Sequence, residues 1–276
     1  MKKTKVWIMA ALALPFVYSC DDDDSVDTTA PTITLEDPVA GESFAAGGTL
    51  DVHCDLTDDI NLATYSITVH DNFDSHSHGR TLANFNYDQS FTVEGTSAHV
   101  TQEISVDATS TAGPYHFIMQ AIDAAGNATS FEDASSVEIE IWLTNQTMAH
   151  VDFTDQGGTK ISELEGVVDQ SLSIYGKVED ESGTLDHVLV VVGHLEAESG
   201  DGHSHGRTRE EEIFEKEFEV EGQASVSLAE LLANESIVVS QAELDELETG
   251  EHLYLIVTAT DADGNISRGT IEIHFD

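Results

Sequence analysis

Apolar residues recur at every second position along much of the chain. Tyr65, Ile67 and Val69 show this period in the first half, and Val188 and Val192 flank a further apolar position in the second. A period of two places such side chains on one face of a β-strand. Short strands separated by turn residues predict an all-β fold of the sandwich type.

Two of these apolar runs end in the same turn signal, Asp-x-x-Gly-Asn, at residues 123–127 and 261–265. Asp can bond to its own backbone there, and Gly or Asn accepts a positive φ, so both segments are interpreted as hairpin turns. The acidic spacing from Asp261 to Asn265 also resembles the start of a calcium loop. That loop requires Gly at its sixth position, where this chain has Ile266.

An internal repeat divides the chain. The octapeptide at residues 74–81 recurs at residues 201–208 with a single difference, and each copy precedes one of the Asp-x-x-Gly-Asn turns. The repeat predicts two tandem immunoglobulin-like β-sandwich modules, at residues 31–143 and 149–276, joined by a short linker.

One segment of the second module departs from the β pattern. Ser240 and Glu243 have the spacing of a capping box, Leu244 and Leu247 form a one-sided apolar stripe, and Gly250 can end a helix. A short helix is therefore predicted before the last strands.

The N-terminus has the form of a lipoprotein signal. Three lysines precede an apolar run at residues 6–17, and the segment closes with Ser19 and Cys20. We expect a signal peptide at residues 1–19 and a lipidated acidic tether at residues 20–30, with Cys20 acylated. The alternative is a secreted protein in which Cys20 is incidental.

Cysteine and charge narrow the choice of partners. Without Cys20, Cys54 has no disulfide partner, and the alternation around it predicts a small core residue. Loss of the signal lysines leaves seven basic residues against 53 acidic ones, a net charge of −46 with His neutral. This excludes nucleic acid, and membrane contact is expected through acyl chains rather than a basic face.

Histidines give the candidate chemistry. His76 and His78, like His203 and His205, form a His-x-His pair whose members lie about 7 Å apart at Cα in extended chain, close enough to share one ion. Imidazoles without thiolates favour zinc, copper(II) or nickel over calcium or magnesium. The further expected ligands of the first module are His99 and His116, on segments that a sandwich would fold back near the loop, and His70, which precedes the pair by six residues. In the second module, His194 and His252 are the expected partners of His203 and His205. The second module has no match for His99, so Asp201 or Glu198 is expected to complete its site.

The segments at residues 70–78, 113–117 and 123–127 resemble a family of Bacteroidetes surface lipoproteins of unknown function. That family has a His-x-Asn-Phe-Asp-x-His-x-His motif, then Gly-x-Tyr-His-Phe before Asp-x-x-Gly-Asn. The resemblance covers the first module well and the second only in part. It implies an immunoglobulin-like fold, a place on the outer face of the outer membrane, a metal-binding role, and His116 as a ligand.

These observations predict a cell-surface lipoprotein that binds zinc or copper(II) and captures the metal for an outer-membrane uptake receptor. An adhesion or glycan-binding module without metal is the first alternative. A zinc hydrolase using Glu198 or Asp74 as general base is the second, but no nucleophile elbow, phosphate loop or Cys-His pair is present, and we expect a non-enzyme.

Overall fold

A computed structural model of the chain describes residues 27–73, 82–194, 212–247 and 251–275, with His194 described by its backbone alone. The regular structure of these residues is almost entirely β, as predicted. Cys20, the signal peptide, most of the tether and both octapeptides lie outside the described residues. Within those residues, no helix combines the length and hydropathy needed to cross a membrane.

In chain order the elements are β1 (Thr32–Asp37), β2 (Ser43–Ala45), β3 (Thr49–Thr57), β4 (Leu62–Asp71), β5 (Tyr87–Thr92), β6 (Ser97–Ser105), β7 (Gly113–Asp123), β8 (Val137–Thr144), β9 (His150–Thr154), β10 (Glu163–Gly166), β11 (Tyr175–Glu179), β12 (Leu185–His194), β13 (Phe214–Gln223), β14 (Ser225–Ser227), α1 (Leu228–Leu231), α2 (Gln241–Asp245), β15 (Leu253–Asp261) and β16 (Ile266–Phe275).

The first half of the chain forms a sandwich of two sheets, with strand orders β1-β3-β6 and β2-β8-β7-β4-β5. Alternate side chains of both sheets meet in one hydrophobic core, for example Leu56 of β3 with Ile67 of β4 and Phe117 of β7. Cys54 is completely buried in this core, which confirms the predicted role. Burial raises the pKa of its thiol to about 12, so it is a packing residue rather than a reactive one.

The second half repeats this plan with strand orders β10-β16-β15-β12-β13 and β14-β11-β9. Its core contains Val190 of β12, Val257 of β15 and Val178 of β11, and it shares no buried residue with the first core. The all-β sandwich prediction is thus confirmed, whereas the module boundaries at residues 143 and 149 stay predictions.

The predicted helix is present as α2. Ser240 Oγ accepts a hydrogen bond from Glu243 N at 3.3 Å, and Glu243 Oε2 accepts one from Ser240 N at 2.6 Å, which completes the capping box. The four-residue helix α1 was not predicted, since Leu228–Leu231 follows a strand without a side-chain cap.

Both Asp-x-x-Gly-Asn segments are turns, as predicted. Asp123 Oδ1 accepts hydrogen bonds from the backbone of Gly126 and Asn127, and Gly126 has a φ of +97°. Asp261 accepts at Oδ1 from Asp263 N and Asn265 N and at Oδ2 from Asn265 Nδ2. Since both Asp261 oxygens bond to these donors, the calcium interpretation of this segment finds no support.

The two turn aspartates have opposite pKa shifts. Burial acts to raise the pKa of Asp123, but the hydrogen bonds from Asn127 and Gly126 outweigh it, and the pKa is lowered. Burial raises the pKa of Asp261 more than the bonds from Asn265 lower it, and the nearby Asp180 adds to the rise. The same motif therefore stabilises the ionised form of Asp123 in the first module and leaves the ionised form of Asp261 destabilised in the second.

Asn265 joins the two halves of the chain. Its side chain is completely buried, and Oδ1 accepts hydrogen bonds from Ala112 N at 2.9 Å and Asn145 Nδ2 at 2.7 Å. Its Nδ2 donates to Asp261 Oδ2 at 2.8 Å and approaches Thr147 Oγ1 at 3.4 Å. One amide thus connects β7's entry, the linker and the last turn of the second half.

Strand β16 adds further contacts across this junction. Ile266 N donates to Ala112 O at 2.9 Å, and the Arg268 guanidinium lies 4.8 Å from the centroid of the Trp142 ring. Arg268 Nη1 is also 3.8 Å from Glu140 Oε1. The junction is therefore a bonded interface, not a free tether.

Candidate metal centre

Two of the predicted ligands meet on the outer face of the five-stranded sheet of the first half. His70 on β4 and His116 on β7 are direct cross-strand partners, and their ring centroids are 5.3 Å apart with planes at 77°. Their strand neighbours Val69 and Phe117 are completely buried, so alternation turns both imidazoles away from the core.

Each ring has its Nδ1 near an oxygen. His70 Nδ1 lies 3.1 Å from Asp71 O, and His116 Nδ1 lies 3.5 Å from Glu138 Oε1 on β8. A carbonyl oxygen only accepts, so Nδ1 of His70 is the donor in this contact and Nε2 is the nitrogen left to face a ligand. Histidines that bind metals are commonly oriented in this way, with the second ring nitrogen bonded to a carbonyl or carboxylate.

The remaining residues of the first-module motifs hold the chain in place around this pair. Phe73 packs edge-on against Tyr115, with ring centroids 5.4 Å apart. A Cβ on Gly113 would lie 2.2 Å from the Phe73 ring, and Gly113 has a φ of +146°, so only glycine fits there. Asn72 donates from its backbone to Pro114 O and from Nδ2 to Glu140 Oε2. These residues belong to the motifs that carry the resemblance, which assigns them no role; in the structure their contacts join the segment after β4 to the start of β7.

His99 does not join the pair, which corrects the expectation from sequence. It lies on β6, in the other sheet, directly opposite Asp55, and its Nδ1 is 2.9 Å from Asp55 Oδ1. Its side chain is 60% exposed on the outer face of that sheet. The start of β6 lies beside the turn where Leu62 begins β4, since Leu62 N donates to Gly95 O at 2.8 Å, and His70 lies eight residues further along β4, about 26 Å at about 3.3 Å per residue. The alternation of apolar and polar residues predicts that the His99 side chain is exposed. It does not predict which sheet the strand joins or at which end of the sandwich His99 lies.

The loop histidines His76, His78, His203 and His205 fall outside the described residues, as do Asp201 and Glu198. The backbone of His194 pairs with Leu253, which follows His252 directly. Their roles as ligands stay predictions.

The register shows that the second half does not repeat the His70–His116 pair. The sheets match strand for strand, with Asp123 and Asp261 at the same level. In that alignment the positions of His70 and His116 are taken by Gly193 and Tyr254, which are also cross-strand partners. Neither Gly193 nor Tyr254 offers an imidazole, so any site of the second half is built differently.

Carboxylates lie beside most histidines of the described residues, as the acidic composition favours. His53, for example, is 3.1 Å from Asp37, and His187 is 3.4 Å from Asp186. Such pairs are ordinary electrostatics on this surface. Among the described residues, the direct packing of two imidazoles distinguishes His70 and His116.

A separate acidic group was missed from sequence. Asp27, Asp58 and Asp59 place three carboxylate oxygens within 4.8 Å of one another, as no other trio of His, Cys, Asp or Glu does in the described parts of the chain. Asp58 Oδ1 accepts from Ile60 N and Asn61 N. The group contains no histidine, and exposed acidic groups are common without an ion.

Comparison with known proteins finds a match to a family model over the first half of the chain. Residues 18–142 match the family described as a domain of unknown function, DUF4625. This match spans the strands that carry His70 and His116 and ends before the second half begins. No curated protein matches the chain.

Solved structures match the chain over much of its length, at low identity and low TM-scores. The fibronectin(III)-like modules of Clostridium thermocellum CbhA are 15% identical, with 89% of this chain and 94% of that chain covered and a TM-score of 0.26. A tetra-tandem repeat from the extending region of a large adhesion protein is 16% identical, covering 88% and 48%, with a TM-score of 0.31. A chimeric titin Z1Z2 tandem is 9% identical, covering 88% and 99%, with a TM-score of 0.30. At these scores the fold assignment rests on the sheets themselves, and none of these comparisons indicates catalysis.

Proposed function

We propose that this chain is a non-enzymatic lipoprotein of the bacterial cell surface whose first module binds zinc or copper(II). His70 and His116 supply two ligands, and His76 and His78 supply the others. In this proposal Cys20 is acylated, the protein is anchored to the outer membrane, and it captures metal for an uptake receptor. The packed imidazole pair carries the proposal.

The spacing of the pair suits a shared ion. Two imidazoles bound to one tetrahedral ion through bonds of about 2.1 Å have ring centroids about 5 Å apart. The rings of His70 and His116 are 5.3 Å apart. Two rings already at this distance need little reorganisation, and they lie on rigid strands rather than on loops.

The surroundings also favour a cation. Glu138 approaches Nδ1 of His116, and Glu140 lies opposite His116 in the ladder. These carboxylates lower the local potential, and Glu138 can orient the His116 ring through Nδ1. His76 and His78 belong to the segment that begins immediately after Phe73, close to the pair in sequence, so the chain can bring further imidazoles to the same ion.

The test is a calorimetric titration of the mature chain, made soluble by Cys20→Ser, with zinc chloride at moderate salt. We expect His70→Ala/His116→Ala to weaken the tightest binding by about tenfold or more, because two ligands are lost. His99→Ala is the matched control and should bind as the parent protein does. His76→Ala/His78→Ala should weaken binding as well.

Two results would contradict the proposal. One is equal affinity in the parent protein and in His70→Ala/His116→Ala. The other is binding that persists at pH 5 and declines with salt. Imidazole must be neutral to bind a metal ion, so the affinity of a histidine site for zinc should fall below about pH 6.5. Salt-sensitive binding at pH 5 would indicate carboxylates alone and leave the adhesion interpretation in front.

A further inference from the structure

The far end of the second half carries an unexplained cluster on strand β16 and the residue that precedes β15. Glu272 Oε1 lies 2.6 Å from His252 Nδ1 and 3.2 Å from His274 Nε2. A single carboxylate oxygen therefore faces two imidazoles. His252 is expected from sequence to act with His194 and the second loop, whereas His274 is not among the ligands expected from sequence.

The nitrogen of His274 is the unusual member. His274 Nε2 is shielded from solvent and makes no hydrogen bond in the described structure, although Glu272 Oε1 is 3.2 Å away. A buried polar atom without a hydrogen-bond partner is costly, and such atoms are rare in folded proteins. An ion held by His274 and Glu272 would give this nitrogen a partner.

The strand register adds negative charge around this point. On the edge strand β10, Glu163 lies opposite Glu272 and Glu165 lies opposite His274. Leu164, between them, is buried, so both glutamates are on the outer face with the cluster. This outer face therefore has two imidazoles and three carboxylates close together. They belong to His252, His274, Glu163, Glu165 and Glu272.

We propose that His252, Glu272 and His274 form a second divalent-metal site, of the two-histidine, one-carboxylate kind, at the far end of the second half. It is separate from the His70–His116 site and does not depend on it. Borderline ions such as zinc suit imidazole with carboxylate.

Binding requires a modest rearrangement. Ligand atoms on a tetrahedral zinc ion are about 3.4 Å apart, which the 3.2 Å between His274 and Glu272 nearly meets. The two ring nitrogens that face Glu272 are more than 4.8 Å apart. The Nδ1 atom of His252 must therefore move by about 2 Å toward His274. His252 precedes β15, and its side chain is 51% exposed, so it has room to do so.

The experiment uses the mature chain with the first site and the second histidine loop removed by His70→Ala, His76→Ala, His78→Ala, His116→Ala, His203→Ala and His205→Ala. In this background, calorimetry with zinc chloride should detect one remaining equivalent. His252→Ala/His274→Ala should abolish it or weaken it by about tenfold or more, and Glu272→Gln should weaken it too. In nitrogen-detected spectra of the imidazoles, zinc should shift the rings of His252 and His274.

His187→Ala is the matched control, because His187 also lies near two carboxylates, those of Asp186 and Glu217, and is not a member of the proposed cluster. It should bind zinc as the background does. The proposal is overturned if the background binds no zinc, if His252→Ala/His274→Ala binds as the background does, or if His187→Ala weakens binding equally. None of these results bears on the His70–His116 site, which is tested by its own variants in the intact chain. Unchanged thermal unfolding of the variants without zinc would show that lost binding does not reflect lost folding.

Discussion

Replacing Asn265 with alanine should destabilise the protein far more than the same change at the equivalent turn residue. The Asn265 side chain is completely buried and bonds to three segments of the chain. Removing it leaves Ala112 N and Asp261 Oδ2 without these partners in a buried place. At about 1–3 kcal/mol for each such group, the loss of unfolding free energy is about 4 kcal/mol.

Asn127 provides the matched control. It occupies the same place in the first Asp-x-x-Gly-Asn turn, but it is half-buried, and its side chain makes one hydrogen bond, to Asp123 Oδ2 at 2.6 Å. Loss of a single bond of this kind costs about 1 kcal/mol. The difference between Asn265→Ala and Asn127→Ala is therefore the contribution of the junction.

Thermal unfolding followed by circular dichroism measures both variants. A loss of about 4 kcal/mol corresponds to a fall in Tm of about 8–16 °C for a protein of this size, whereas Asn127→Ala should lower Tm by only about 2–4 °C. Small-angle scattering of Asn265→Ala should also show a wider range of overall dimensions, because the amide that ties the halves is gone. Equal Tm values for the two variants would refute the reasoning, since Asn265 would then be an ordinary turn residue.

Three further predictions concern the anchor, the modules and pH. Cys20→Ser should move the protein from the membrane fraction to the soluble fraction, and unchanged fractionation would contradict the lipoprotein assignment. A fragment of residues 30–143 should unfold cooperatively and give a β-type spectrum, because the buried residues of its core all lie within residues 50–143, although the partly buried Ile266 of the other half also packs against it; a disordered fragment would contradict the boundary. The pKa of Asp261 is raised in the folded protein, so ionisation of this carboxyl destabilises the folded state. The resulting loss of unfolding free energy begins at about pH 4 and grows as pH rises through the raised pKa. The unfolding free energy of the parent protein, relative to Asp261→Asn, should therefore increase as pH falls from 7 to 4.5 in urea titrations; a difference independent of pH would show that Asp261 carries no such penalty.

Much of the fold could be predicted from sequence because it depends on neighbours in the chain. Alternation identified the strands around Ile67 and Val190, and it placed Cys54 in the core. The capping box at Ser240 and the turns at Asp123 and Asp261 are local hydrogen-bond patterns, which the order of residues specifies directly. The internal repeat gave the strand plan of two similar halves.

The composition of the candidate sites depended on the tertiary structure. Period-two alternation tells which side chains leave the core, but it does not tell which sheet a strand joins or at which end of that sheet a residue lies. His99, His70 and His116 are therefore equivalent by sequence, yet strand pairing brings only the last two together. Pairing also brings Glu272 and His274 of the last strand beside His252. Asn265 and Asn127 share one motif, and only the packing of the two halves makes Asn265 a junction residue. These differences arise from contacts between residues far apart in the chain, whose register local patterns do not determine.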